Sequence, residues 1–125
     1  MLLKDKYYEL LAQHPTGPLS ATFRLKLKPD CTVYEGHFPG NPVCPGVCNM
    51  EAIRECCSML TGQPLHIASI KQCRLTAVAT PQLCPELDVS VQAQPLDEGY
   101  SVTAKITAGE TTYMDFRGTL NAQPL

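Results

Sequence analysis

The sequence predicts an α+β fold, with one antiparallel sheet wrapped around a single long helix. Three observations predict it. Residues 19–28 alternate apolar with polar side chains, as do several later runs, which is the signature of half-buried strands. Residues 45–60 instead carry apolar side chains at helical spacing. The order of these segments is strand, helix, then a meander of strands, which lays one helix on one sheet.

Taken in order, residues 5–13 read as a short helix, because Tyr7, Leu10 and Leu11 recur at helical spacing. The run His14-Pro15-Thr16-Gly17-Pro18 is expected to stop it. Leu19, Ala21, Phe23, Leu25 and Leu27 then form the apolar face of a strand that Pro29-Asp30 turns. Residues 34–45 read as a loop, punctuated by Gly36, Pro39, Gly40, Pro42 and Pro45. In the helix that follows, Pro45 suits the first turn, where its missing N–H costs nothing. Val47, Met50, Ile53, Cys57 and Leu60 form one apolar stripe. Cys48, Glu51, Glu55 and Ser58 form a more polar one beside it, and Thr61-Gly62 closes the helix. Strands are expected over 66–79, 87–93, 102–106 and 112–120, with turns at 95–99 and 108–110.

A chain of 125 residues suits one domain, 1–125. The hydrophobic share of 44% supports a core, and a charged share of only 18% argues against disorder. A net charge of −2, with no Lys/Arg run, gives no basic field for nucleic acid. The first residues, MLLKDKYYELLAQ, carry charges and no long apolar run, so no signal peptide and no membrane span are expected, and a cytoplasmic location is. Seven cysteines without a secretion signal read as reduced, mostly buried thiols. Cys44 and Cys48 lack the second pair that a structural zinc site needs, so no metal is expected.

The chemistry is concentrated in Gly36-His37-Phe38-Pro39-Gly40-Asn41-Pro42-Val43-Cys44-Pro45-Gly46-Val47-Cys48-Asn49-Met50-Glu51. Prolines and glycines stiffen a loop that carries His37 into a helix that carries Glu51. Removing water from a 3-hydroxyacyl thioester needs a base at C2, and an imidazole titrates near working pH. Charge growing on the thioester oxygen needs a donor, and the Gly46 N–H at a helix start offers one. The departing C3 hydroxyl needs a proton, which a carboxyl in an apolar pocket can hold. No cofactor is required. Taken singly, a loop histidine is ordinarily a surface or capping group and a helical glutamate is ordinarily solvated; their combination in this rigid context makes the case.

The run GHFPGNPVCPGVCNMEA resembles the active-site signature of the 3-hydroxyacyl-[acyl carrier protein] dehydratases of the hot-dog superfamily. Residues 70–91 resemble that family's next strand pair, with Arg74 and Pro81 in register. The resemblance implies the hot-dog fold, His37 as catalytic histidine, Glu51 as acid and the Gly46 N–H as the carbonyl donor, with Val47 and Phe38 beside the substrate. It implies acyl carrier protein, bearing its acyl chain on 4'-phosphopantetheine, as partner. It also implies a homodimer whose sites take His and Glu from different subunits, with a trimer of dimers left open. Glu51, where the isomerising branch carries Asp, points to dehydration alone.

Three departures accompany it. Glu55 stands in place of the family's Gln and reads best as a surface residue paired with Arg54 or Lys71. Gln82-Leu83 after Pro81 replace Gly-Asp, so that turn is expected to be rebuilt and substrate entry to differ. The N-terminal part is short and lacks the usual apolar motif before the first strand, which suits a specialised polyene or pigment pathway. Two other readings stay open: a non-catalytic acyl-carrier-binding or heterodimer partner subunit, and an acyl thioesterase. Cys48 reads as a packed thiol, and His14 and His66 as a helix-stop and a strand residue.

Overall fold

The computed structural model describes residues 2–36 and 44–122. Six strands form one antiparallel sheet: β1 (Tyr8–Gly17), β2 (Ser20–Leu27), β3 (Leu65–Leu75), β4 (Glu86–Pro95), β5 (Gly99–Ala108) and β6 (Thr111–Ala122). Their order across the sheet is β1-β2-β4-β5-β6-β3. A four-residue α1 (Val33–Gly36) and the long α2 (Gly46–Thr61) intervene between β2 and β3. The meander is therefore β4-β5-β6, while β3 crosses to the far edge and pairs with β6 instead of β4.

The first segment departs from expectation. Residues 8–17 are a strand and not a helix, paired with β2 from Tyr8 opposite Leu27 to Gly17 opposite Ser20. Tyr8, Leu10 and Ala12 also fit a two-residue period, and the waiting edge of β2 decides between the two patterns. Pro15 lies inside this strand, which an edge position tolerates because one side needs no ladder N–H. The turn falls after Gly17 instead.

The helix forms where expected, but its buried face is rotated. Val47 is 68% exposed, whereas Cys48, Asn49, Ala52, Ile53, Glu55, Cys56, Cys57 and Ser58 are buried. Small residues and cysteines let α2 lie close against Phe23, Val89 and Phe116 on the sheet's inner face. Gly62 ends the helix in the left-handed region, at φ +73°, and returns its N–H to the Ser58 carbonyl at 2.9 Å. No helix among the described residues is long and apolar enough to cross a membrane.

Candidate active site

Helix α2 places the sequence's candidates along its first turns. Pro45 is its N-cap, in extended conformation, and no side chain caps it. The leading N–H groups at Gly46 and Val47 have no carbonyl four residues back within the helix. A Cβ on Gly46 would lie 3.2 Å from Leu75 Cδ1, so β3 closes over this glycine. Glu51 follows five residues later, about 7.5 Å along the axis and about 140° round it. His37 and Phe38 lie outside the described residues.

Glu51 borders a cavity of about 670 Å³ together with Leu2, Arg54, Ser58, Gln63 and His66. Gly46 and Val47 are not part of its described lining. One chain thus separates the helix-start donors from the carboxyl group.

The surroundings of Glu51 are not simply apolar. Arg54, one turn on, donates from Nε to Glu51 Oε1 at 2.7 Å and from Nη2 to the same oxygen. Its Nη1 donates to the Leu65 carbonyl at 2.7 Å. The bond to Glu51 is the foremost reason the guanidinium pKa lies above its ordinary value. Among the described residues, Glu51 Oε2 receives no side-chain or backbone hydrogen bond.

Glu55 corrects the surface reading: it is fully buried. Its Oε2 accepts from the Leu3 N–H at 2.8 Å, and its Oε1 accepts from the Lys4 N–H at 3.0 Å and the Tyr8 hydroxyl at 2.7 Å. Three donors from the N-terminal segment thus replace water around this carboxyl group. Arg54 Nη2 lies 4.0 Å from its Oε2, between the two glutamates.

Cys48 is buried, and burial pushes its thiol pKa up, as expected of a packing residue and not a nucleophile. Among the described residues no group of three or more His, Cys, Asp or Glu side chains is placed to hold a metal ion. The sequence reading missed two cavity residues. Arg54 was legible as an i,i+3 partner of Glu51. His66 carried no local signal, since only the path of β3 brings it beside α2.

The chain matches the family model described as ApeI-like, ApeI dehydratase, over residues 13–113. It is 34% identical over 115 residues to the 3-hydroxyacyl-[acyl-carrier-protein] dehydratase FabZ of Levilactobacillus brevis, covering 86% of this chain and 72% of that one. It is 38% identical over 74 residues to the FabZ of Legionella pneumophila, covering 51% of this chain and 49% of that one. Its fold is similar to a chain of the dehydratase heterocomplex ApeI:P from Xenorhabdus doucetiae, with a TM-score of 0.73 at 16% identity over 91% of this chain and 97% of that one. On fold and sequence together, the chain belongs to the 3-hydroxyacyl-[acyl-carrier-protein] dehydratase family of the hot-dog superfamily, with the ApeI-like dehydratases.

Proposed function

We propose that the protein, as one cytoplasmic catalytic domain, dehydrates (3R)-3-hydroxyacyl chains on acyl carrier protein to the trans-2-enoyl form. The observation that carries the reading is Glu51: it borders a cavity on α2 with one carboxyl oxygen held by Arg54 and the other without a hydrogen bond among the described residues. In this reading His37 takes the C2 proton and the Gly46 N–H, flanked by Val47 and Phe38, steadies the charge on the thioester oxygen. Glu51 gives a proton to the C3 hydroxyl. The C2–H and C3–O bonds break, the C2–C3 double bond forms, and water leaves.

A homodimer completes the site. The separation of Gly46 from the cavity of Glu51 fits sites that draw these groups from two subunits. Strand β3 is an open sheet edge with Ile70 and Leu75 exposed, and a second copy would cover it. A non-catalytic partner subunit is the second reading. It is favoured by the ion pair that engages Glu51 within its own chain.

The test supplies a 3-hydroxyacyl group on carrier protein and follows loss of one water by mass, with His37→Ala and Glu51→Gln beside the wild type. Enoyl product from the wild type, falling about 100-fold or more in either variant, supports the dehydratase. Binding of the acyl carrier without product at any chain length would move the reading to the partner subunit.

A further inference from the structure

We infer that Arg54 is a positioning residue that fixes Glu51 and selects Oε2 as the oxygen facing substrate, an inference that rests on the dehydratase reading. The guanidinium is anchored on three sides. Nε and Nη2 hold Glu51 Oε1, Nη1 holds the Leu65 carbonyl at the start of β3, and the buried Glu55 carboxyl group lies 4.0 Å from Nη2. Glu55 in turn is fixed by the Leu3 and Lys4 N–H groups and the Tyr8 hydroxyl. Only 16% of the Arg54 side chain and 23% of the Glu51 side chain are exposed.

Two consequences follow from this geometry. Both guanidinium donors go to one oxygen, so a proton carried by Glu51 has its place on Oε2, which no N–H of the described residues opposes. When that proton passes to the substrate, the charge left on Glu51 meets a cation already in position, with no reorganisation needed. A lysine offers a point charge and cannot reproduce the fork that spans Glu51 and the Leu65 carbonyl.

The experiment measures kcat and KM for wild type, Arg54→Ala and Arg54→Lys, with and without added guanidinium ion, and reads the Glu51 carboxyl carbon by NMR. In Arg54→Ala, kcat should fall about 100-fold while KM moves less than about threefold. Guanidinium should restore about tenfold or more of that loss and leave the wild type unchanged, and Arg54→Lys should fall between. The Glu51 carboxyl resonance should move in Arg54→Ala and return with guanidinium. A kcat within about twofold of wild type, or a loss that guanidinium does not touch, would overturn the inference. If the wild type makes no product, the dehydratase reading fails, and the resonance alone decides whether Arg54 holds Glu51: an unmoved signal sinks it. Should Arg54→Ala fail to fold, Arg54→Met keeps the apolar stem and takes its place.

Discussion

At the scale of single residues, the two glutamates of α2 show how one helix turn separates a solvent-facing role from a structural one. Glu55 is buried among three donors, so its removal leaves two backbone N–H groups and the Tyr8 hydroxyl without an acceptor. Glu55→Ala should cost about 3 kcal/mol, read as a lower urea midpoint, and Glu55→Gln, which keeps one acceptor, should cost less. A midpoint unchanged in Glu55→Ala would mean water replaces the carboxyl group at no cost. The motif singled out Glu51 because a proline- and glycine-rich run with a histidine, leading into a helix glutamate, is a specific sequence pattern. Glu55 was misread because a helical glutamate is ordinarily solvated, and nothing local announces that Leu3 and Lys4 will fold back onto it.

At the scale of elements, α2 and the strands from β2 onward follow from periodicity and punctuation, with boundaries within a few residues. The expected strand over 66–79 proves shorter: β3 ends at Leu75, and Pro81-Gln82-Leu83 form a turn in which the Leu83 N–H donates to Thr80 Oγ1 at 3.1 Å. β1 was not legible, because its apolar residues satisfy both periods and only pairing with β2 chooses. Nor was the place of β3, which depends on a crossover and not on any residue within it. Where β3 meets β6 the fit is tight: a Cβ on Gly118 would lie 2.5 Å from the Ser69 carbonyl oxygen, between two irregularities in the β3 register. Backbone cannot yield as a side chain can. Gly118→Ala should therefore destabilise by about 2 kcal/mol and loosen β3 first, seen as faster amide exchange there than in β4. Uniform protection across the sheet would contradict this.

At the scale of the whole molecule, the core holds an unusual share of hydroxyls and thiols at the N-terminal end of α2. Tyr7 donates to Asn49 Oδ1 at 3.0 Å, its ring lies 6.1 Å from that of Tyr34, and the Tyr34 hydroxyl lies 3.6 Å from Cys44 Sγ. Burial raises the pKa of Tyr7, Tyr8 and Tyr34 above the ordinary tyrosine value, and pushes the Cys57 thiol up to about 12. The folded state therefore keeps protons that the unfolded chain releases at about pH 8.5 from the thiol and about pH 10 from the tyrosines, the ordinary values. Stability from each group is fully present below its unfolded pKa and is lost as pH rises towards its folded one, first for the thiol and then for the tyrosines. The urea midpoint should hold between about pH 7 and 8, begin to fall above about pH 8.5 and fall more steeply above about pH 10, with phenolate absorbance from these tyrosines appearing only on unfolding. Phenolate appearing in the folded protein would show that the core admits water. The bonds from Leu3 and Lys4 to Glu55 also make the first few residues part of the machinery behind Glu51. On the proposed reading, an aminopeptidase that trimmed four residues would act as an inhibitor, working from behind the helix without entering the cavity.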